Sequence, residues 1–287
     1  MEIPDVQPVI VASHPRSGTH LLIDLLRRQF SACRSWKWPG ERLDRLYCSI
    51  DELNGGRGRL DEATARRILG RTDRPLIKTH AWPDFQETFL APHHDGLDPE
   101  WPAWLHGNGS ILYVYRDGRD VLCSYQMMRR RMDASSPDSI GAFLRGQDPG
   151  RDVNRVRRWA DHVQAWRVTE SRHLVSFESM LSHPEEVIER LGEHLGLVPE
   201  WQTPLLPERF SSIWESRWAR LFQMRPKSTA ILGIGSKNWE ETFTREDQIF
   251  FHQEAGDLLV DLGYVDSDEW VHAPQTASAD TSTQDAS

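Results

Sequence analysis

Residues 9–30, VIVASHPRSGTHLLIDLLRRQF, determine how the rest of the sequence is interpreted. The apolar run at 9–12 predicts a short buried strand, and the leucines from Leu21 to Leu26 recur at the spacing of a helix. The polar loop at 13–19 lies between these two elements. When a strand, a tight loop and a helix follow in this order, the backbone N–H groups of the loop point at one spot at the N-terminus of the helix. This is the positive end of the helix dipole, where anions bind. The stretch therefore predicts an anion-binding loop.

The composition of this loop suits phosphate or sulfate. Gly18 lets the backbone approach a ligand closely, and Arg16 adds a permanent charge with a fork of donors. The N–H groups of Ser17, Gly18 and Thr19 are expected to converge on one point. The simpler alternative is that the Ser and Thr hydroxyls cap the helix and bind no ligand. The loop also departs from a nucleoside-triphosphate P-loop, which has a leading Gly and a Lys directly before its Ser or Thr.

Composition and charge limit the classes of function. The 287 residues are 38% hydrophobic and 27% charged, which fits a globular domain with one core. An acidic N-terminus and the lack of a long apolar run predict a cytoplasmic chain with neither a signal peptide nor a membrane span. Cys33, Cys48 and Cys123 lack the spacing of a disulfide framework or a zinc site. The net charge of −9 disfavours a nucleic-acid polymer as partner.

Three further apolar runs predict strands, at 75–80 (PLIKTH), 110–115 (SILYVY) and 173–177 (HLVSF). Ser182 and Glu185 have the spacing of a capping box for a helix that begins at position 184. Helices are expected at about 60–70, 121–131, 152–172, 184–195 and 245–262, with 31–54 read as irregular and 133–150 as a connection.

Strands that alternate with helices predict an α/β fold, a single domain whose central parallel sheet has helices on both faces. We place this domain at residues 1–271 and expect 272–287, which lacks apolar anchors, to be a disordered tail. Polar clusters (SHPRSGT, KTH and RDGRD) follow the first three strands. Because parallel strands end at one edge of the sheet, these clusters are expected to meet there, where ligands bind.

Lys78 and His80 alternate along an extended segment, so their side chains are predicted to face the same side. A cation that stabilises a leaving oxygen and an imidazole that accepts a hydroxyl proton suit group transfer. The alternative for His80 is a strand-end histidine hydrogen-bonded to the backbone. Arg116 and Ser124 are expected to converge on a second phosphate. The alternative there is an Arg116 ion pair on the surface, and Asp117 is expected to cap the following helix.

Taken together, these segments resemble the P-loop-related sulfotransferases that use 3′-phosphoadenosine 5′-phosphosulfate (PAPS), particularly the cytosolic small-molecule branch. SHPRSGTHLL is similar to their 5′-phosphosulfate loop, LIKTH to their catalytic strand, and ILYVYRDGRDVLCSY to their 3′-phosphate segment. RWADHVQAW, HLVSFESMLSHPEEVIERLGEHLGL and GSKNWEETFT follow in the same order as in the family. The resemblance covers residues 9–244 and implies a P-loop-like phosphosulfate-binding loop after the first strand.

The resemblance implies sulfuryl transfer from PAPS to an acceptor hydroxyl on a small molecule, lipid or glycan, without a metal. His80 is the implied general base, Lys78 stabilises the transferring group, and Arg16 stands where the family usually has a Lys. The sequence leaves a homodimer open. The implied catalytic residues are His80, Lys78 and Arg16, and the nucleotide-binding candidates are Arg16, Ser17, Gly18, Thr19, His20, Arg116, Ser124, Phe177 and Lys237.

The sequence also departs from the family pattern at several positions. Leu21 stands where an aromatic residue often stacks on adenine, and Phe177 stands where Tyr is common. The C-terminal loop lacks the Arg-Lys-Gly run, for which Lys237 is one substitute among nearby basic residues. His14 and His20 flank the first loop as rival bases. A P-loop kinase or NTPase and a non-catalytic nucleotide-binding relative stay open as alternatives.

Overall fold

The computed structural model describes residues 6–34, 47–53, 62–84, 109–147, 152–170, 172–206 and 238–272. Within these ranges five strands form one sheet in the order β2-β3-β1-β4-β5, and every neighbouring pair is parallel. The prediction of an α/β fold with a central parallel sheet is confirmed. The strands are β1 (Val9–Ser13), β2 (Cys48–Ser49), β3 (Leu76–Thr79), β4 (Ser110–Tyr115) and β5 (Arg172–Ser176).

Helices follow or connect these strands, and short 3₁₀ turns at Ser31–Cys33 and Asp268–Val271 supplement them. The helices within the described ranges are α1 (Thr19–Gln29), α2 (Ile50–Leu53), α3 (Glu62–Leu69), α4 (Gly118–Met132), α5 (Ile140–Arg145), α6 (Arg155–Val168), α7 (Phe177–Ser182), α8 (Pro184–Leu195), α9 (Trp239–Thr242) and α10 (Arg245–Asp261).

The sheet is covered on both faces because successive side chains of each strand point to opposite sides. On one face Val9 and Val11 pack with the leucines of α1 and with α8. On the other face Ile10 and Ala12 pack with α4, α6 and α10. The apolar stripe of α6, which includes the fully buried Trp159, belongs to this second core as predicted from its helical spacing.

Three local predictions were wrong in their boundaries. Strand β2 and helix α2 lie in the segment read as irregular, because a two-residue strand is too short to show a period. Helix α5 lies in the segment read as a connection; Ser139 caps it by accepting the Ala142 N–H at 3.5 Å. Phe177 begins α7 instead of ending the last strand.

The predicted helix caps had different outcomes. Asp117 caps α4 as expected, since its Oδ1 accepts the Arg119 N–H at 2.9 Å. The capping box at Ser182 was wrong: this residue closes α7, and its hydroxyl donates to the Glu178 carbonyl at 3.0 Å. Its side chain is therefore used by the preceding helix, and α8 has no side-chain cap at its N-terminus.

The three cysteines are buried as free thiols. None of the helices in the described ranges has the length and apolarity needed to cross a bilayer. Within the same ranges, no group of three or more His, Cys, Asp or Glu side chains is arranged to hold a metal ion. The expected tail lies outside the described residues apart from His272, so the domain boundary stays a prediction.

Candidate active site

A cavity of about 420 Å³ opens at the carboxyl edge of the sheet, where β1, β3 and β4 end side by side. The predicted residues from all three strand ends share this cavity. Those that line it are Arg16, Gly18, Thr19, His20, Lys78, His80, Arg116, Ser124 and Phe177.

The loop between β1 and α1 turns back sharply through left-handed backbone. Arg16 has φ 75° and Gly18 has φ 106°, a region that non-glycine residues rarely occupy. A Cβ on Gly18 would lie 2.4 Å from the ring of Phe177. The loop therefore needs glycine both for its conformation and for the packing of Phe177 against it.

The side chain of Ser17, in the middle of the loop, is buried. The residue is fully buried, and its Oγ has no hydrogen-bond partner in the described part of the chain. The Thr19 hydroxyl, in contrast, lies 2.5 Å from the Ser13 hydroxyl, which ties the loop's end to the end of β1. A buried hydroxyl without a partner costs free energy, and an anion's oxygen would remove that cost.

Arg16 and Ser124, predicted separately as phosphate contacts, contact each other in this structure. The Arg16 Nε donates to the Ser124 Oγ at 3.0 Å, across 108 positions of sequence. Burial lowers the pKa of Arg16, and the nearby charges of Arg116 and Arg131 lower it further. Like charges are thus held together here, a situation that a bound anion would relieve.

Arg116 forms an ion pair, which was the alternative predicted for it from the sequence, and it also lines the cavity. Its Nη2 donates to Asp120 Oδ2 at 3.2 Å, and its guanidinium lies 4.5 Å above the centroid of the Phe177 ring. Its Nε is buried without a hydrogen-bond partner within the described ranges. The residue is therefore oriented by Asp120 and Phe177 and retains a donor for a ligand.

The hydrogen bonds of His80 define which of its nitrogens can act as a base. Its Nδ1 lies 2.8 Å from the Ser13 carbonyl oxygen, which can only accept, so Nδ1 carries the proton. Nε2 is then the unprotonated nitrogen. Burial lowers the pKa of His80 well below its usual value, and the charge of Lys78 lowers it further. The imidazole is therefore neutral at pH 7 and able to accept a proton.

Lys78 lies in β3, two residues before His80. It pairs in register with Val11 of β1 on one side and with Ser49 of β2 on the other. The residue is 8% exposed and lines the cavity together with His80. The prediction that these two side chains share one side is confirmed.

The two rival histidines are placed differently. The Nε2 of His20 lies 3.0 Å from the Tyr47 hydroxyl. Burial, assisted by the charges of Lys78 and Arg16, lowers its pKa to about 4. His14 is buried against Tyr125 and does not line the cavity, and burial also lowers its pKa.

Four further lining residues were not predicted as site residues. Tyr125 and Met128 follow Ser124 on α4. The i, i+4 spacing between Ser124 and Met128 is a signal that places Met128 on the same face of the helix as Ser124. Pro15 and Leu21 also line the cavity. Lys237 lies outside the described residues.

Comparison with known proteins identifies the family. A model of the sulfotransferase domain matches residues 7–253. The chain belongs to the sulfotransferase family.

Solved structures of sulfotransferases and a dehydratase share its fold. Mouse sulfotransferase SULT7A1 complexed with PAP is 16% identical, with a TM-score of 0.53 over 93% of this chain and 89% of that one. Retinol dehydratase in complex with retinol and PAP is also 16% identical, with a TM-score of 0.50 over 90% of this chain and 83% of that one. A second retinol dehydratase complex, with androsterone and PAP, has the same identity and TM-score over 90% and 82% of the two chains.

The lowered histidine pKa values predict that this sulfotransferase loses stability in acid. A histidine that stays neutral when folded, but takes up a proton near pH 6.5 when unfolded, favours the unfolded state as pH falls through that value. His20 titrates at about 4 in the folded chain. Its contribution to the loss between pH 7.5 and pH 5.5 is about 1 kcal/mol.

Urea unfolding at the two pH values measures this effect. In His20→Gln the difference in unfolding free energy between pH 7.5 and pH 5.5 should shrink by that amount. His272→Gln is the control, because the side chain of His272 is 71% exposed. An unchanged difference in the His20 variant would show that the imidazole is not held neutral by the fold.

Proposed function

We propose that this sulfotransferase takes its sulfuryl group from PAPS and transfers it to the hydroxyl of a small molecule, with His80 as general base. The observation that carries the proposal is the single cavity that joins the Arg16 loop, the Lys78–His80 strand end and Arg116. Its described charged side chains are Arg16, Lys78 and Arg116, all cations. An elongated anion with charge at both ends suits such a lining.

The β1–α1 loop is the proposed site for the 5′ end of the nucleotide. The N–H groups of Gly18 and Thr19 lie at the N-terminus of α1, where the helix dipole favours an anion. The N–H of Ser17, expected from the sequence to join them, instead donates to the His14 carbonyl at 3.2 Å. Ser17 does not itself line the cavity; its hydroxyl, buried without a partner in the described ranges, stays a proposed donor to the same phosphate. His20 and Leu21 border the same region of the cavity.

Arg116 and Ser124 are the proposed contacts of the 3′-phosphate. Arg116 retains a buried Nε donor and stands over the Phe177 ring. Ser124 presents a hydroxyl that now accepts from Arg16 at 3.0 Å. A second phosphate distinguishes this nucleotide from a nucleoside triphosphate, and Arg116, which follows β4 and not the β1–α1 loop, is the cation that we assign to it. Lys237 stays a candidate for the same phosphate.

The chemistry follows from the charges at the strand ends. PAPS supplies a sulfuryl group whose bond to the 5′-phosphate oxygen breaks as its bond to the acceptor oxygen forms. His80 accepts the acceptor's hydroxyl proton at Nε2, since Nδ1 is fixed by Ser13. The ammonium of Lys78 and the guanidinium of Arg16 stabilise the negative charge that develops on the leaving oxygen. These side-chain cations take the place of a metal ion in our proposal.

The acceptor is proposed to be a small molecule with an apolar part. Tyr125 and Met128, which follow Ser124 on α4, also line the cavity and bring an aromatic and an aliphatic side chain to it. Retinol dehydratase, which shares the fold, has been solved with retinol and with androsterone. Phenols, sterols and long-chain alcohols are therefore the first compounds to screen.

Calorimetry on Arg116→Ala tests the donor. The unaltered protein should bind adenosine 3′,5′-bisphosphate (PAP) more tightly than ATP with magnesium. Removing a guanidinium that contacts a phosphate should weaken PAP binding roughly 10- to 100-fold. Arg130→Ala is the control, because Arg130 lies on the same helix, is exposed and pairs with Asp138. A preference for ATP with magnesium would favour the kinase alternative and overturn the proposal.

Steady-state kinetics on His80→Ala tests the base. Loss of the proton acceptor should lower kcat about 100- to 10,000-fold, while the Kd for PAP stays within about twofold. The assay follows ³⁵S transfer from PAPS to the best acceptor of the screen, with and without EDTA, and His272→Ala is the control. Full activity in His80→Ala would move the base to another group, and activity lost in EDTA would introduce a metal.

A further inference from the structure

His80 lies one residue beyond the end of β3, which stops at Thr79. Its backbone N–H is therefore past the ladder of β3 and needs another acceptor. Asp51 provides it: its Oδ2 accepts the His80 N–H at 2.8 Å. This contact reaches the proposed base through its backbone.

The other carboxylate oxygen of Asp51 fixes the preceding residue. Its Oδ1 accepts from the Thr79 hydroxyl at 2.8 Å, and Thr79 is fully buried. The same hydroxyl oxygen accepts the Ala81 N–H at 3.0 Å. One carboxylate thus contacts Thr79 and His80 directly and is linked to Ala81 through the Thr79 hydroxyl.

The sheet register explains why Asp51 stands there. In β2, Ser49 pairs with Lys78 of β3, and α2 begins directly afterwards at Ile50. Asp51, two residues after Ser49, is therefore brought beside His80, which is two residues after Lys78.

Two other elements hold His80 from different directions. The Ser13 carbonyl accepts from its Nδ1 at 2.8 Å, on the side of β1. On the side of α6, the His80 carbonyl lies 3.3 Å from His162 Nε2, and the Ala81 carbonyl accepts from Trp166 Nε1 at 3.1 Å. With Asp51 on the third side, both the backbone and the ring of His80 are held.

We propose that Asp51 is a positioning residue for His80, which aims Nε2 at the acceptor by holding the backbone of residues 79–81. The proposal rests on the proposed role of His80 as base. A base must lie within hydrogen-bond reach of the proton it takes, and a misplacement of about 1 Å costs on the order of 100-fold in rate. Asp51 does not touch the nucleotide site, so donor binding is independent of it.

A purely structural role for Asp51 makes a different prediction. If the carboxylate only fastens the edge strand β2 to β3, its loss lowers stability and leaves kcat unchanged in the folded protein. Positioning predicts a lower kcat at unchanged KM and PAP affinity. The two roles are therefore separated by kinetics at a temperature where the protein is folded.

The experiment compares Asp51→Ala with Asp133→Ala in the full chain. Asp133 is a matched control, since it is a solvent-accessible carboxylate that also accepts one backbone N–H and one hydroxyl, both from Ser135. We expect kcat of Asp51→Ala to fall about 10- to 100-fold, with KM for PAPS and the Kd for PAP within about twofold. Asp133→Ala should keep the unaltered kcat.

Changes at Thr79 test the connection itself. Thr79→Ser keeps the bridging hydroxyl and should keep most of kcat, whereas Thr79→Val loses it and should follow Asp51→Ala in direction. If Asp51→Ala does not fold, Asp51→Asn decides by the same criteria, because an amide retains only one acceptor oxygen. Unchanged kcat in a folded Asp51 variant overturns the proposal.

A measurement without an acceptor separates this proposal from the proposed function. Nitrogen-15 NMR of the histidine rings, with the His80 signal assigned by its absence in His80→Ala, should show the Nδ1–H form in the unaltered protein. In Asp51→Ala the His80 ring signals should shift or broaden as the ring loses its fixed position, and an unchanged signal contradicts positioning. If His80→Ala retains full activity, the proposed role of His80 as base fails whatever the Asp51 variants show.

Discussion

The parallel register of β1 with β3 and β4 is the constraint on which the site depends. It aligns Ala12 with Thr79 and Tyr113, so that all three strands end at the same edge of the sheet. The Arg16 loop, His80 and Arg116 begin within a few residues of those ends. A shift of one residue in either pairing would turn the apolar faces of a strand toward the wrong core, and for this reason the register is fixed by burial.

The convergence of the strands places like charges close together, and each arginine is stabilised by different contacts. Arg116 pairs with Asp120 and stands on Phe177, whereas Arg16 donates to the neutral hydroxyl of Ser124. The neighbouring imidazoles are kept neutral, as the lowered pKa of His80 indicates. The cavity is thus cationic and pre-organised, which is the condition for stabilising an anion in both the bound state and the transition state.

Much of this was readable from the sequence, because strands and the loop after β1 follow from local patterns. The alternation of Lys78 with His80 and the cap at Asp117 are local in the same sense. Contacts between distant segments left no local signal: Arg16 with Ser124, and Asp51 with His80, depend on register that sequence spacing does not specify. Ser182 was misread because a spacing pattern does not show which of two adjacent helices uses the side chain.

In the proposed complex, the two ends of one nucleotide occupy the Arg16 loop and the Arg116 side of this cavity. A crystal structure of the protein grown with PAP tests it directly. We expect the 5′-phosphate over the N–H groups of Gly18 and Thr19, and the 3′-phosphate within hydrogen-bond distance of Arg116. Phosphates bound in the opposite order, or away from both groups, would contradict it.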